Sequence, residues 1–257
     1  SNIELKITKD GVYNFEMWTK DEAGNNSSTT ITKKIYVDKK APSNILIGYT
    51  DDPSMNELET GKVEDYYSQP VKVTISATDF NSGVYGFKYT IRGEAGDNKD
   101  TGILEATKMN DVYVATMLIN PEYLGGLTIS AIDNAGNESE KLDDRVFVVS
   151  EELPTAPTLI VTSKDDILTS GQWTTQGIEI SISDSKVIAG IAGYEYMIEG
   201  EDVWRKCETV VSKQNATDDK PSNINVVKLV LTEDQEETYL FRAISNSGIH
   251  GEISRFD

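Results

Sequence analysis

Apolar and polar residues alternate along most of this chain, and turn residues separate the alternating runs. The run 127–131 (Leu-Thr-Ile-Ser-Ala) is one example, and the turn 133–137 (Asp-Asn-Ala-Gly-Asn) follows it directly. A period of two is typical of a strand with one buried face. In the turn, we expect Asp133 to accept backbone N–H bonds and Gly136 to adopt a positive φ angle. The sequence therefore predicts a β-hairpin at this point.

The same hairpin pattern occurs three times at equal spacing. Residues 15–19 lead into the turn 21–25, and residues 239–243 lead into the turn 245–249. The turns begin at 21, 133 and 245, so the interval is 112 residues both times (133 − 21 and 245 − 133). A period of domain length predicts repeated domains. The third turn has Ser and Ile where the others have Asp and Asn, so we expect its side-chain bonds to differ.

Two polar segments that contain proline divide the chain. They are 38–42 (Asp-Lys-Lys-Ala-Pro) and 151–157 (Glu-Glu-Leu-Pro-Thr-Ala-Pro), and prolines stiffen such joints. We predict the C-terminal part of a truncated repeat at 1–40 and two complete domains at 41–150 and 151–257. About 100 residues can bury a core of their own. The apolar face of the partial repeat needs a cover, which we expect from the next domain rather than from another chain.

The alternating runs predict about seven short strands in each complete domain. The first domain shows them at 71–77, 84–91 and 112–119, with loops at 51–69 and 92–100 and a short strand that begins at Ile103 and Leu104. The second domain repeats this order at 178–182, 192–198 and 226–231. Before the first hairpin, Ile3, Leu5 and Ile7 predict one more strand. Almost no helical periodicity is present, which indicates antiparallel β-sandwiches.

Taken in order, several motifs resemble the immunoglobulin-like repeats of large bacterial surface and cell-wall proteins. These motifs are Ala-Pro at the start of each domain, 173–178 (Trp-Thr-Thr-Gln-Gly-Ile), 193–198 (Gly-Tyr-Glu-Tyr-Met-Ile), Asp-x-Ala-Gly-Asn, and 37–42 as a joint between repeats. The resemblance covers nearly the whole chain. It implies an all-β fold of tandem immunoglobulin-like antiparallel β-sandwiches. It also implies a secreted protein at the cell surface or cell wall, with a stalk, adhesion or ligand-binding role and no catalytic residues.

The charge of the chain limits its partners. Lys and Arg number 24 against 43 Asp and Glu, a net charge of −19. Nucleic-acid phosphates and anionic membranes attract clustered basic residues, so we expect contact with neither. A host or cell-surface protein, or a glycan, is the partner left to consider. No run approaches the about 18 apolar residues of a membrane span, and no signal peptide is present. Because Ser1-Asn2 resembles the remnant of an expression tag, we expect a fragment of a longer protein.

Residues that carry catalytic or metal chemistry are few. The chain has one Cys, Cys207, and one His, His250. This excludes an intramolecular disulfide and a metal site built on His pairs or Cys/His pairs. We expect Cys207 to be a partly buried apolar residue, and a Ser-His-Asp triad would depend on His250 alone. We predict no catalytic, cofactor-binding or metal-binding residues and no cofactor. The acidic pairs lack the calcium-loop pattern, so we expect solvated loop charge at 51–52, 143–144, 165–166 and 218–219.

Aromatic side chains leave a ligand-binding role open, since exposed Trp and Tyr stack on sugars or anchor interfaces. Trp18 lies on the outer phase of its strand, whereas we expect Trp173 to pack over a core edge. The first hypothesis is a non-catalytic extracellular spacer or adhesion module. The alternative is a carbohydrate-binding accessory module of a secreted glycoside hydrolase that uses Tyr66, Tyr67 or Trp204. A hydrolase itself would need two carboxylates roughly 5–10 Å apart in a cleft. We expect no Lys–Asn isopeptide bond, although some surface immunoglobulin-like domains carry one.

Overall fold

The structure is a computed structural model that describes residues 4–52, 65–144, 146–164, 166–213, 223–232 and 236–257. Regular structure in these ranges consists of 21 strands and no helix, so the all-β fold is confirmed. Within the same ranges, no helical segment has the length and hydropathy needed to cross a bilayer. Contacts divide the chain into two compact units, residues 1–63, 71–119 and 125–147 in one and 64–70, 120–124 and 148–257 in the other. The domain limits at 40/41 and 150/151 stay a prediction.

The first two strands form a hairpin. Strand β1 (Gly11–Met17) pairs antiparallel with β2 (Ile31–Val37), and Met17 lies opposite Ile31. No third strand joins this sheet within the described ranges. The prediction of a strand before the hairpin is wrong for the described residues, because residues 4–8 form no regular secondary structure. Alternation alone does not make a strand when no neighbouring strand supplies a hydrogen-bond ladder.

The first sandwich comprises strands β3 to β12. They are β3 (Ser43–Thr50), β4 (Tyr66–Tyr67), β5 (Val71–Thr78), β6 (Val84–Gly93), β7 (Asn98–Glu105), β8 (Thr107–Met109), β9 (Val112–Ile119), β10 (Tyr123–Asp133), β11 (Leu142–Asp143) and β12 (Phe147–Val149). One sheet has the order β3-β5-β9-β8, and the other has the order β4-β12-β10-β6-β7 with β11 beside β10. Tyr49 meets Phe147 edge-on with ring centres 5.0 Å apart, so side chains from the two sheets pack against each other.

The two loops predicted in this sandwich both contain strand residues. Most of the loop predicted at 92–100 is strand, since β6 continues to Gly93 and β7 begins at Asn98. Strand β7 ends its sheet, and exposed edge strands carry polar residues that read as loop in a sequence. The predicted loop at 51–69 lies largely outside the described residues. Its described end contains β4, which pairs in parallel with β12.

The second sandwich comprises strands β13 to β21. They are β13 (Thr158–Ser163), β14 (Asp166–Leu168), β15 (Ile178–Ser183), β16 (Ile191–Ile198), β17 (Arg205–Lys206), β18 (Glu208–Lys213), β19 (Asn223–Leu231), β20 (Tyr239–Ser245) and β21 (His250–Phe256). The sheets have the orders β14-β13-β15-β19-β18 and β17-β16-β20-β21. Their buried core contains Ile180 and Ile182 from the first sheet and Tyr239 and Phe241 from the second.

Both sandwiches have the immunoglobulin strand order. With main strands lettered A to G along the chain, that order is A-B-E-D in one sheet and C-F-G in the other. The first sandwich matches it with β3-β5-β9-β8 and β6-β10-β12, and the second with β13-β15-β19-β18 and β16-β20-β21. Leu127 and Ile129 on one F strand, and Phe241 on the other, are fully buried. The alternation in the sequence therefore predicted the inward faces of these strands correctly.

Candidate functional site at the first joint

The turn after β10 is held by one acid and one amide. The backbone N–H and the side-chain Nδ2 of Asn137 donate to Oδ1 and Oδ2 of Asp133, both at 2.7 Å. Gly136 adopts φ 91° and its N–H donates to the Asp133 carbonyl at 3.3 Å. Asp133 is only 2% exposed, so these bonds satisfy a buried carboxylate. The turn chemistry expected from the sequence is confirmed.

The other two turns keep the backbone and vary the side chains. In the first, Asn25 donates to Asp21 from its backbone N–H at 2.8 Å and from its Nδ2 at 2.9 Å, and these bonds lower the pKa of Asp21. In the third, Ser245 Oγ accepts the backbone N–H of Ile249 at 2.9 Å and shares a hydrogen bond with Ser247 Oγ, also at 2.9 Å. The turn glycines have φ 91° in the first copy and 84° in the third. The third turn therefore differs in its side-chain bonds, as expected.

The first joint, defined as residues 38–42, is bonded to the sandwich that follows it. The Nδ2 of Asn137 also donates to the carbonyls of Asp38 at 3.1 Å and Lys40 at 3.5 Å. The Asp38 carboxylate accepts the N–H groups of Ser82 at 2.9 Å and Lys40 at 3.0 Å, and the Nδ2 of Asn81 at 3.2 Å. Burial by itself raises the pKa of Asp38, but these hydrogen bonds outweigh it and the pKa lies below its ordinary value.

Three carboxylates meet at this joint. Asp38, Asp79 and Asp133 each present an oxygen, and the three oxygens lie within 4.8 Å of one another. Asp79 Oδ1 also accepts the N–H groups of Asn81 and Gly83, both at 2.9 Å. Carboxylate oxygens are the ligands that Ca²⁺ prefers, and this cluster would supply three of the roughly six to eight that it takes. The bonds in the structure give all three acids a direct role in holding the turns and the joint together.

In the second sandwich, the positions equivalent to the three acids carry no acid. Asn134 and Asn246 each donate a backbone N–H, at 3.0 Å, to the carbonyls of Gly83 and Gly190 respectively, so these glycines are equivalent. Four residues before each glycine stand Asp79 in the first sandwich and Lys186 in the second. At the 112-residue interval, Asp38 corresponds to Ser150 and Asp133 to Ser245. Two serines and a lysine thus replace three acids, so the turn geometry itself does not require the charge.

The second joint, defined as residues 150–157, is also bonded in place. Glu122 accepts the backbone N–H groups of residues 151 and 152, at 3.1 and 3.2 Å, and the Ser150 hydroxyl at 3.1 Å. On the other side, Ser247 Oγ donates to the Ser150 carbonyl at 3.3 Å, and the N–H of residue 252 donates to Pro154 at 2.9 Å. A Cβ on Gly251 would lie 2.6 Å from the Pro154 carbonyl oxygen. Only glycine therefore allows this approach.

The acidic pairs named from the sequence lie apart from the cluster. Asp143 accepts the Thr128 hydroxyl at 2.5 Å, and Asp144 accepts the Tyr49 hydroxyl. The backbone N–H of Asp52 donates to the Thr50 hydroxyl at 3.0 Å. Asp166 is exposed in β14, while Asp165 and the pair 218–219 lie outside the described residues. Asp143 is 68% exposed and therefore solvated as predicted, although it lies in β11 rather than in a loop, whereas Asp144 is partly buried and bonds within its sandwich.

The aromatic candidates are scattered, and two sequence-based expectations about them fail. Tyr67 is 3% exposed, so it cannot stack on a sugar, whereas Tyr66 is partly exposed. Trp173 is 84% exposed and does not pack over a core edge. It lies in the connection between β14 and β15, outside both sheets, where no strand can cover its ring. Trp18 is exposed, as its strand phase indicated.

Trp204 belongs to a charged cluster on the second sandwich. The guanidinium of Arg242 lies 3.8 Å from the centre of the Trp204 ring, within cation–π range. Arg242 Nε donates to the buried Glu195, and His250 Nδ1 lies 3.0 Å from the same Glu195 oxygen. One face of Trp204 is therefore occupied, and the only histidine of the chain contacts this carboxylate.

Cys207 packs against the core of the second sandwich, as expected. Burial, assisted by the charge of Glu195, raises the pKa of the Cys207 thiol to about 12. The thiol is therefore protonated at neutral pH, and only the thiolate is an effective nucleophile. This confirms the reading of Cys207 as a partly buried apolar residue.

The outer face of β6, β7 and β10 carries a shallow groove of about 470 Å³. Thr90 lies opposite Thr101 on one side and Thr128 on the other, which gives a row of hydroxyls across three strands. An ion pair between Lys88 and Glu138 borders the row and lowers the pKa of Glu138. These groups can exchange hydrogen bonds with a polar ligand. None of the aromatic residues proposed from the sequence lines the groove.

Sequence reasoning missed the meeting of Asp38, Asp79 and Asp133. Each acid has a local signal, since each stands shortly before a turn or joint. No local signal shows that they converge. Convergence follows from the antiparallel pairing that places Ser43 opposite Thr78 and Asp133 opposite Val84, at one end of the sandwich.

Comparisons with known proteins do not assign a family. No family model matches the sequence, and no curated protein sequence matches it. Among solved structures, the chain is similar to FdeC, described as a novel, broadly conserved Escherichia coli adhesin that elicits protection against urinary tract infections. The identity is 15%, the TM-score is 0.40, and the match covers 99% of this chain and 86% of that chain. A chain of a cytokine receptor complex matches with 12% identity and a TM-score of 0.29, over 83% of this chain and 96% of that chain. Likenesses this low do not bear on function, which must be argued from the site.

Proposed function

We propose that this chain is a non-catalytic spacer or adhesion module of a bacterial surface protein, located outside the cell at the surface or in the cell wall. Sandwiches on short, hydrogen-bonded joints would hold a distal part of the protein away from the cell. The proposal rests on the path that the chain takes through each sandwich and on the bonds that fix its joints.

The path through the second sandwich is the observation that carries this proposal. Ser247, just beyond the C-terminal end of β20, bonds to the joint residue Ser150. Thr238, just before the N-terminal end of β20, donates to the last residue, Asp257, at 2.9 Å. The joint and the end of β21 thus lie at opposite ends of β20, about 20 Å apart at ~3.4 Å per residue. A spacer needs a path of this kind, because each unit then adds length.

In the first sandwich, the residues at the two ends of the F strand also bond to different joints. Asn137, beyond the C-terminal end of β10, bonds to the first joint, and Glu122, before its N-terminal end, holds the second joint. The net charge of −19 is a second, independent observation that supports the proposal. A strongly acidic surface keeps neighbouring copies apart and disfavours compact association.

Single-molecule force spectroscopy on the full chain tests the spacer role. We expect two unfolding events, each releasing about 100 residues or roughly 35 nm of chain at ~3.5 Å per residue. Each event would mark one sandwich that resists load on its own. Extension without separate force peaks would contradict a load-bearing spacer.

Glycan binding is the second candidate, favoured by the hydroxyl-lined groove of the first sandwich. A glycan array with the full chain tests it, and the double variant Thr90→Val/Thr128→Val is the matched control because it removes hydroxyls at nearly constant size. Binding that the double variant abolishes would support this candidate. No binding by the wild-type chain, or equal binding by the variant, would reject the groove as a glycan site.

A further inference from the structure

The hairpin exposes residues whose counterparts are buried in both sandwiches. Met17 is 53% exposed, whereas Ile129 and Phe241, at 112-residue intervals from it, are completely buried. On the second strand of the hairpin, Ile35 is 44% exposed, and its counterpart Phe147 is 1% exposed. The position of Met17 therefore lies in a core in both sandwiches, and the position of Ile35 lies in a core in the first, whereas both residues are exposed in the hairpin.

One neighbouring strand is common to both buried copies and missing from the hairpin. In the first sandwich, β10 pairs antiparallel with β6, and Ile129 lies opposite Tyr89. In the second, β20 pairs antiparallel with β16, and Phe241 lies opposite Tyr196. The equivalent strand β1 pairs only with β2 within the described residues. The edge of β1 that corresponds to these pairings is therefore open.

The two neighbouring strands share one sequence pattern. Residues 86–91 read Gly-Phe-Lys-Tyr-Thr-Ile, and residues 193–198 read Gly-Tyr-Glu-Tyr-Met-Ile. The register is also the same, because the last residue of each pattern lies opposite Leu127 in one sandwich and Tyr239 in the other. Side-chain direction in a strand has a period of two, so a shared register places the same side chains on the core face.

We propose that the open edge of β1 binds an antiparallel strand of the pattern Gly-(Phe or Tyr)-x-Tyr-x-Ile, with its Tyr opposite Met17 and its Ile opposite Phe15. The occupant is the matching strand of the hairpin's own repeat. That strand precedes the F strand in both sandwiches. A third strand with an apolar face is also about the minimum for a sheet that is stable by itself.

The opposite edge of the hairpin is less suited to binding a strand. Strand β2 carries Lys33 and Lys34 at its centre, and lysines on an edge oppose strand addition. Strand β1 has no lysine. A second copy of the chain is a poorer occupant, because its two strands of this pattern, β6 and β16, are already paired on both edges.

Hydrogen exchange read by mass spectrometry on the full chain, with an excess of a synthetic peptide, tests the proposal. The peptide has the sequence of residues 83–93, which contains the β6 pattern. We expect exchange in residues 11–19 to slow at least ~10-fold, because an added strand bonds the open edge. Met17→Lys should abolish this protection, whereas Glu16→Lys, on the opposite face of β1, should preserve it.

Three results would overturn the proposal. The first is no protection of residues 11–19 at saturating peptide. The second is equal protection by a peptide whose alternation is shifted by one residue, which would show that register does not matter. The third is a dimer in sedimentation with residues 11–19 already protected, which would make a second copy the occupant.

Discussion

Removing the side chain of Asn137 should loosen the first joint and destabilise the first sandwich. The variant Asn137→Ala loses the 2.7 Å bond from Nδ2 to the Asp133 carboxylate and the 3.1 Å bond to the Asp38 carbonyl. A hydrogen bond to a charged group contributes about 1.5–3 kcal/mol, and a neutral one about 0.5–1.5 kcal/mol. Asp133 keeps the backbone N–H bond of residue 137, so the sum is a ceiling. We expect a loss of about 2–4 kcal/mol in the free energy of unfolding.

The chain offers a matched control for this variant. Asn25 makes the same two bonds to Asp21, at 2.8 and 2.9 Å, but both residues are exposed. Exposed groups exchange these bonds for bonds to water, so Asn25→Ala should cost less than about 0.5 kcal/mol. Asn137→Asp keeps the size but removes the donor and adds a second negative charge. It should therefore cost at least as much as Asn137→Ala.

Native-state hydrogen exchange along a urea series is the suitable assay. It reports on residues 127–133 separately from the rest of the chain, which matters because a chain with two compact units need not unfold in one step. Equal losses for Asn137→Ala and Asn25→Ala would refute the reasoning. So would a loss below about 0.5 kcal/mol for Asn137→Ala.

Three other predictions follow from the joints and the core. Gly251→Ala should lower the free energy of unfolding by about 1–3 kcal/mol, because the new Cβ would lie 2.6 Å from the Pro154 carbonyl oxygen. Gly193→Ala has open space around its Cβ and should change this free energy by no more than about 0.5 kcal/mol. Equal effects of the two variants in urea unfolding would contradict this prediction. The pKa of Asp38 lies below its ordinary 3.8 in the folded chain, so its stabilising contribution is complete above that pH and is lost as the pH falls below it. The variant Asp38→Asn should therefore be less stable than the wild-type chain at neutral pH, and its free energy of unfolding should fall less between neutral pH and about pH 3. The same fall for both chains in urea unfolding would contradict a stabilising role of the Asp38 carboxylate. Cys207, with its pKa raised to about 12, should react with iodoacetamide at pH 8 only after unfolding, and rapid alkylation of the folded chain would show that the thiol is accessible as thiolate.

Local features of the fold were predictable because their causes lie within a few residues. Asp133, Gly136 and Asn137 make the turn among themselves, and the alternation in β10 places Leu127 and Ile129 in the core. The first three residues of β7, 98–100, were predicted to be loop because they are polar and exposed, although the backbone is paired there. An edge strand hides its pairing in this way, because its partner is visible only in three dimensions.

The site was harder to predict because it joins distant parts of the sequence. Asp38, Asp79 and Asp133 meet only after the sheet order is set, and no local pattern encodes that order. Trp173 was expected to pack over a core edge because it precedes a strand, but it lies in the connection between β14 and β15 and is exposed. Burial of a large side chain depends on what covers it, and a connection outside both sheets has no cover.

Electron paramagnetic resonance distances across the first joint would show whether its hydrogen bonds fix the hairpin relative to the first sandwich. Spin labels would replace the exposed residues Asn14 on β1 and Glu105 on β7, in a chain with Cys207→Ser. We expect a single narrow distance distribution for the otherwise wild-type chain, because Asp38 and Asn137 fix the joint, and a clearly broader one for Asn137→Ala. A broad distribution in both chains, or the same narrow one in both, would contradict the claim that these bonds hold the joint.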